Sequence, residues 1–252
     1  MALSLKDLSS DPTIAPPRIV LYGPHGIGKT TFGAGAPGPV LLPTEDGIGK
    51  LSVAHFPMLR SYEAVLEAIG ALYQEEHKHQ TVVLDSLDWL EPLIWKRACK
   101  VHGWADIEEP GYGKGYIAAL DIWREFLDGV NALRTHRNMA VILIAHNQIK
   151  RFDSPDTEPY DRYQIKLQDR ASALVEEWSD AILFANWRTF TTSTDVGFNK
   201  KVIRGVTSGE RVMFTEERPA YKAKNRYSLP PELPLAWQPF EDALAGTPAE
   251  AA

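Results

Sequence analysis

A short apolar strand, a glycine-rich loop and a helix start follow one another near the beginning of the chain. The apolar run covers residues 18–22, and a helix is expected from Thr31-Phe32. The loop between them has the pattern GxxxxGK[ST], which binds phosphate when a strand precedes it and a helix follows it. Its backbone N–H groups close around phosphate oxygens, and the helix N-terminus adds a positive dipole end. The sequence therefore predicts a nucleoside triphosphate site formed by Gly23, Pro24, His25, Gly26, Ile27, Gly28, Lys29, Thr30 and Thr31.

Two side chains of this loop carry the expected chemistry. Lys29 is expected to reach the β- and γ-phosphates, and the Thr30 hydroxyl is expected to bind Mg²⁺. The Asn-Lys-x-Asp signature of guanine recognition does not occur in the sequence, and the segment Asn199-Lys200-Lys201-Val202 departs from it. The sequence therefore predicts ATP and Mg²⁺ as the ligands.

Apolar runs and helical periodicities alternate along the rest of the chain. Further strands are expected at residues 40–43, 81–85, 140–145 and 180–185, and helices at 62–76, 89–102, 116–136 and 171–178. A polar loop is expected at 147–163, and β-structure with turns at Gly197, Gly205 and Gly209 is expected up to residue 227. This order predicts an α/β fold with a mostly parallel sheet, helices on both faces and a β-rich C-terminal extension.

Composition narrows the class of protein. The chain has 252 residues, a formal net charge of −6 and a single cysteine, Cys99, so no intramolecular disulfide can form. The longest apolar runs are too short to span a bilayer, and the N-terminus does not resemble a signal peptide, so we expect a cytoplasmic protein without a membrane partner. We predict a leader at 1–17, an ATPase domain at 18–240 and a disordered tail at 241–252.

Polar residues follow three of the expected strands, where the ligand of such a sheet binds. Asp85 ends an apolar strand and is expected to support Mg²⁺. Ser86 follows it, where many related ATPases carry their catalytic glutamate, so the group that orients water must come from elsewhere. Glu45, past the second strand, is the first candidate, and Asp46 is its competitor. His146, past the fourth strand, is a candidate sensor of the γ-phosphate or a histidine at the edge of the core.

These elements together resemble the RecA-type recombinase core, over roughly residues 18 to 240. The resemblance rests on the phosphate loop, Glu45, Asp85-Ser86 and the Asn147-Gln148-Ile149-Lys150 segment after the fourth strand. A basic element, Ala223-Lys224-Asn225-Arg226, occupies the region in which RecA places cations that reach the γ-phosphate of a neighbouring subunit. The resemblance thus implies Lys224 and Arg226 as catalytic cations acting across a subunit interface.

The overall resemblance is to the short RecA-like ATPases of bacteriophages. It implies single-strand annealing or recombination in the cytoplasm of the infected bacterial host. It also implies self-association with ATP at the subunit interface, and a single-strand-binding protein as a further partner. We expect a departure from full-length RecA in this sequence, in which neither a large separate C-terminal domain nor a long N-terminal polymerisation helix is predicted.

Two segments are candidates for contact with single-stranded DNA. The first, residues 147–170, interleaves basic residues with aromatic ones, but its acidic residues balance the charge. The second, near residues 189–209, belongs to a stretch, 197–227, in which basic residues outnumber acidic ones. Mixed-charge surface loops and solvated lysines on β-structure would have the same composition. The candidate DNA-binding residues are Lys150, Arg151, Arg162, Lys200, Lys201 and Arg204.

The sequence thus predicts an ATPase that assembles on single-stranded DNA. A second hypothesis belongs to another class: an ATP-gated oligomeric interaction module whose client is a protein. The acidic isoelectric point of about 5.7 favours this alternative, whereas the basic residues between 200 and 226 favour DNA.

Overall fold

A mixed sheet with a parallel centre forms the frame of the molecule. The computed structural model describes residues 15–155, 157–195 and 201–246. The strands in this part of the chain are β1 (Arg18–Gly23), β2 (Pro39–Pro43), β3 (Ala54–His55), β4 (Thr81–Asp85), β5 (Ala140–Ser154), β6 (Thr157–Ile165), β7 (Ala181–Asp195), β8 (Lys201–Phe214), β9 (Lys224–Asn225) and β10 (Glu232–Pro234). The helices are α1 (Lys29–Ala34), α2 (Tyr62–Gln74), α3 (Leu87–His102), α4 (Lys114–Arg137), α5 (Asp169–Trp178) and α6 (Trp237–Leu244).

The strand order is β10-β8-β7-β1-β5-β4-β2-β3, with β6 paired to β5 and β9 paired to β7. Strand β1 runs parallel to both β5 and β7, and β4 runs parallel to both β2 and β5. Strand β5 therefore lies between the strand before the phosphate loop and the strand that ends in Asp85. In a parallel sheet the carboxyl ends of the strands share one edge, and this edge is where ligands bind.

The two faces of the sheet bury separate apolar clusters. Val20 and Tyr22 of β1 face a large cluster with residues of α2, α3, α4 and α5. Ile19 and Leu21 face a second cluster with residues of α1 and α6. Because side chains alternate along a strand, β1 contributes to both clusters and is covered on both sides. The α/β fold with helices on both faces and a β-rich C-terminal extension is therefore confirmed.

The predicted polar loop at 147–163 is wrong, because these residues form an antiparallel hairpin of β5 and β6. Phe152 lies opposite Tyr160 across the hairpin, with ring centroids 5.5 Å apart. Aromatic pairs of this kind stabilise antiparallel strands, and the many charges around them obscured the alternation. Strands β7 and β8 form a second, longer hairpin.

The structure differs from two further predictions for the C-terminal region. The turn expected at Gly205 is wrong, because Gly205 lies within β8 opposite Thr191, while Gly197 lies outside the described residues. Helix α6 crosses the predicted boundary at residue 240, because Trp237 and Phe240 pack on Phe32 of α1. The predicted tail therefore begins within a helix. Among the described residues, no helix combines the length and apolar character that crossing a membrane requires.

Candidate functional site

The phosphate loop joins β1 to α1 at the carboxyl edge of the sheet. Gly26 and Gly28 have φ angles of 71° and 113°, a region that glycine adopts without strain. A Cβ atom at Gly23 would lie 2.2 Å from the carbonyl oxygen of Ala185 on the neighbouring strand β7. The backbone conformation or the close packing of the loop therefore favours glycine at each of these three positions.

Lys29 is buried within its own loop. Its ammonium group donates hydrogen bonds to the carbonyl oxygens of Gly23 at 3.0 Å and Pro24 at 2.9 Å. Burial lowers the pKa of Lys29, while the charges of Asp85, Glu45 and Asp88 act in the opposite direction. A buried ammonium group of this kind can form charge-assisted hydrogen bonds with an anionic ligand.

Thr30 and Asp85 meet across the edge of the sheet. The Thr30 hydroxyl donates a hydrogen bond of 2.7 Å to the carboxylate of Asp85, whose side chain is buried. Burial raises the pKa of Asp85, whereas the hydrogen bond from Thr30 and the charge of Lys29 act to lower it. A hydroxyl and a carboxylate are hard oxygen donors of the type that Mg²⁺ binds. The residues present therefore fit the metal role predicted for Thr30 and Asp85.

The residues that follow β2 and β4 are hydrogen-bonded to each other beside Thr30 and Asp85. The Thr44 hydroxyl donates to the carbonyl oxygen of Ser86 at 2.8 Å and accepts from the Ser86 N–H at 2.7 Å. The Asp85–Ser86 peptide bond is cis, and the N–H of Glu45 is 3.3 Å from the Asp85 carbonyl oxygen. The hydrogen bonds between these two segments hold the backbone of Glu45 next to that of Asp85.

Glu45 faces the site with a largely buried carboxyl group, whereas Asp46 is exposed. Burial raises the pKa of Glu45, and the nearby carboxylates of Asp85 and Asp88 raise it further against the opposing effect of His146. An acid held this way binds protons more readily than a glutamate in water, which suits a group that orients or deprotonates water. Burial thus favours Glu45 over Asp46.

His146 lies at the end of the β1–β5 pairing, opposite Gly23. Its ring stacks on that of His25 with centroids 3.7 Å apart and planes inclined by 24°. Its Nδ1 is 2.9 Å from Oδ2 of Asp88, and its Nε2 is 3.9 Å from Oε1 of Glu45. Burial lowers the pKa of His25, and the positive charge of Lys29 lowers it further. One histidine therefore contacts the phosphate loop and an acid on α3, and it lies near Glu45.

The site opens into a cavity of about 410 Å³, a volume typical of small-ligand sites. Its lining includes His25, Lys29, Thr30, Glu45, Asp85 and His146. A larger cavity of about 750 Å³ lies at the opposite, amino edge of the sheet, where Pro17, Thr81 and Ala140 line it. The residues that line that cavity include neither the phosphate loop nor the acidic pair, so the smaller cavity is the candidate nucleotide site.

Two residues near the site were not found from the sequence. Asp88, in the first turn of α3, accepts hydrogen bonds from the backbone N–H and the ring of His146. Its position three residues after Asp85 is the only signal that sequence reasoning had available. Arg211 of β8 donates to the carbonyl oxygen of Ile27 at 3.4 Å. Nothing in the sequence indicates this contact, which spans most of the chain.

The two basic residues expected to act across a subunit interface lie away from their own phosphate loop. Lys224 and Arg226 lie near the amino end of β7, because β9 pairs with Ala181 and Ile182. The Lys224 ammonium donates to three carbonyl oxygens at the end of α5, those of Glu176, Glu177 and Ser179. Arg226 has a half-exposed side chain that pairs with Asp180 at 3.3 Å.

Three of the candidate DNA-binding residues, Lys150, Arg151 and Arg162, lie on the hairpin of β5 and β6. Lys150 pairs with Asp169, and Arg151 is exposed and lies 3.5 Å from Asp153. Arg162 is only 7% exposed; it pairs with Glu217 at 2.9 Å, and its guanidinium group covers the Phe152 ring. Arg162 therefore serves the packing of the hairpin, contrary to its expected place on an open DNA surface.

Two of the remaining DNA candidates, Lys201 and Arg204, belong to the second hairpin. Lys200 falls outside the described residues, and Lys201 and Arg204 are described only as members of strand β8. Their contact with DNA stays a prediction.

Comparisons with known proteins give the family. A family model for the AAA domain matches residues 15–227. Among solved structures the chain is similar to a crystal structure of the RadB recombinase, with 19% identity and a TM-score of 0.44 over 82% of this chain and 84% of that one. No curated protein matches the sequence. The family match covers most of the chain and includes the phosphate loop, Glu45, Asp85 and His146. The chain therefore belongs to the AAA domain family, as a P-loop ATPase domain.

Proposed function

We propose that this chain is a Mg²⁺-dependent ATPase that assembles on single-stranded DNA and serves recombination or annealing in a bacteriophage. Gly23–Thr31 would bind the phosphates, with Thr30 and Asp85 holding Mg²⁺, which when bound supplies charge neutralisation at the phosphates. Glu45 would orient the attacking water, and His146 would respond to the γ-phosphate. The protein would act in the host cytoplasm, alongside a single-strand-binding protein.

The observation that carries this proposal is the continuity of β5. The strand pairs with β1 up to His146, beside the phosphate loop, and then continues as the first strand of the hairpin with β6. A change at His146 on nucleotide binding would reach that hairpin through one strand. The exposed Arg151 on this hairpin and the excess of basic over acidic residues in the stretch 197–227 supply charge for a polyanion.

The first test is ATP hydrolysis with and without single-stranded DNA over a range of salt concentrations. We expect DNA to stimulate turnover, and we expect the apparent DNA affinity to fall about tenfold or more between roughly 50 and 200 mM salt, because phosphate contacts release counterions. The combined variant Lys200→Ala, Lys201→Ala and Arg204→Ala should weaken this effect. The matched control replaces two exposed helical lysines, Lys96→Ala and Lys114→Ala.

Turnover that ignores DNA at every salt concentration would contradict the DNA proposal. It would favour a protein client, for which the balanced charge of residues 147–170 is the supporting observation. In that case a protein retained by the ATP-bound form, and released by the ADP-bound form, is the expected finding.

The cations at Lys224 and Arg226 are proposed to complete the ATP site of a neighbouring subunit. Lys224 would have to leave its three carbonyl partners, whereas the half-exposed Arg226 has, among the described residues, one ion pair to break, with the buried Asp180, which keeps its closer partner Arg18. We therefore expect Arg226→Ala to lower kcat about 100-fold by removing charge stabilisation of the transferred phosphoryl group. Folding should be preserved, as a thermal unfolding curve would show.

Mixing two inactive variants tests whether Arg226 acts between subunits. A Lys29→Ala subunit keeps Arg226 and can serve the intact phosphate loop of an Arg226→Ala subunit. At equal amounts we expect turnover to recover to about a quarter of the wild-type rate, because random assembly places the two intact halves together at about one head-to-tail interface in four. A mixture as inactive as its components, or full activity of Arg226→Ala alone, would remove the proposal for Arg226. Full activity of Lys224→Ala would remove it for Lys224.

A further inference from the structure

Asp88 is a buried acid whose two oxygen atoms both contact the His146 ring: Nδ1 is 2.9 Å from Oδ2 and 3.2 Å from Oδ1. Its Oδ1 accepts hydrogen bonds from the backbone N–H of His146 at 3.0 Å and from the Ser86 hydroxyl at 2.9 Å. Its Oδ2 lies 2.9 Å from Nδ1 of the His146 ring, and the Lys166 ammonium is 3.8 Å away. Burial alone would raise the pKa of Asp88, but the hydrogen bonds from His146 and Ser86 outweigh it and bring the pKa to about 2. Asp88 is therefore ionised and can only accept hydrogen bonds.

When the His146 ring is neutral, its ionised partner Asp88 determines which of the two ring nitrogens carries the proton. Because Asp88 has no proton to donate, the short contact at Nδ1 requires an Nδ1–H group on the ring. The other nitrogen, Nε2, then keeps its lone pair and is the atom 3.9 Å from Oε1 of Glu45. Stacking on His25 limits rotation of the ring, so the orientation is held from two sides.

Two acceptors at this separation suit one water molecule. The distance of 3.9 Å between Nε2 of His146 and Oε1 of Glu45 is too long for a direct hydrogen bond, and both atoms are placed to act as hydrogen-bond acceptors. A water molecule that donates one hydrogen to each is bound through both of its hydrogens. Its lone pair is then free to face away from the two acceptors, as a nucleophile requires.

We propose that Asp88 is a positioning residue for ATP hydrolysis: it keeps the proton of His146 on Nδ1, so that Nε2 and Glu45 together orient the attacking water. This inference rests on the proposed function, in which ATP is hydrolysed in this site and Glu45 acts on water. Asp88 itself acts through His146, and its own side chain is buried.

The variant Asp88→Asn tests the role because its hydrogen-bond partners dictate its orientation. We expect the amide oxygen to take the place of Oδ1, where the His146 N–H and the Ser86 hydroxyl converge, so that the NH₂ group takes the place of Oδ2, the oxygen nearer to Nδ1 of His146. The ring must then accept at Nδ1 and move its proton to Nε2, which now donates toward Glu45. We expect kcat to fall roughly 10-fold to 100-fold through misplaced water, while the affinity for ATP stays within about twofold.

Nitrogen-15 NMR of the histidine rings measures the proton position directly, without nucleotide and at a pH where the rings are neutral. Loss of one ring signal in His146→Gln identifies His146. We expect the wild-type protein to carry the proton on Nδ1 and Asp88→Asn to carry it on Nε2. The matched control is Asp121→Asn, an exposed aspartate on α4 whose ion-pair partner in the described part of the chain is Arg124; it should change neither the ring signals nor kcat.

Two results would overturn the inference. One is a wild-type ring protonated on Nε2, which needs no variant and so does not depend on how Asp88→Asn folds. The other is an Asp88→Asn protein with the proton moved and an unchanged kcat. Glu45→Gln separates this inference from the proposed function: wild-type turnover there defeats the proposed function itself. An inactive Glu45→Gln beside a fully active Asp88→Asn defeats the role of Asp88 alone.

Discussion

Replacing Lys29 with alanine is expected to lower ATP turnover by about 10⁴-fold, because Lys29 is the cation assigned to the β- and γ-phosphates. Lys29 is buried, and its ammonium group donates hydrogen bonds to two carbonyl oxygens of its own loop. Phosphate release measures the loss. Lys29→Arg should fail as well, since a planar guanidinium group cannot replace a compact ammonium in this closed loop.

Thermal unfolding separates the loss of chemistry from a loss of folding. Burial of the Lys29 charge lowers its pKa, so the charged side chain costs the fold some stability and Lys29→Ala should unfold at the same temperature or higher. Wild-type protein with ATP and Mg²⁺ at about 100 times Kd should gain about 2.7 kcal/mol of stability, and the variant should lose this gain. The exposed Lys96→Ala is the control. Turnover at the wild-type rate in Lys29→Ala would place ATP hydrolysis elsewhere.

The parts of the site that were predicted from the sequence depend on short-range spacing. The phosphate loop is eight consecutive residues between a strand and a helix, and its backbone geometry follows from its own glycines. Asp85 and His146 were found because each follows an apolar run, and the ends of parallel strands share one edge. No knowledge of strand order was needed for either residue.

The parts that were missed depend on strand order and on long-range contacts. Asp88 meets His146 because β5 lies beside β4, and the sequence alone does not indicate this contact between two residues 58 positions apart. Arg211 reaches Ile27 across 184 residues. The hairpin of β5 and β6 was predicted as a loop because its charged residues hide the alternation that cross-strand pairing reveals. Arg162 looked like a surface cation for the same reason, although Phe152 and Glu217 enclose it.

Replacing Glu45 with glutamine is the second change with a large expected effect, about 10³-fold in kcat with little change in ATP affinity. Glutamine keeps the size of the side chain but cannot take a proton from water or accept at both terminal atoms. Because the carboxylate acts on water and not on the bound phosphates, its loss should appear in kcat and leave the binding constant nearly unchanged. Single-turnover hydrolysis and equilibrium binding of ATP measure the two quantities separately.

Asp46→Asn is the matched control, because it makes the same chemical change one residue away on an exposed side chain. If the control loses turnover and Glu45→Gln keeps it, the role of Glu45 passes to Asp46. The pKa of Glu45 is raised by burial, so its ionised form is disfavoured in the folded protein and Glu45→Gln should be at least as stable as the wild type at neutral pH. For the same reason, as pH falls, wild-type activity should decline at a higher pH than the ordinary pKa of glutamate would predict. A protein that binds ATP more stably while failing to hydrolyse it would show that this position is kept for the reaction and not for the fold.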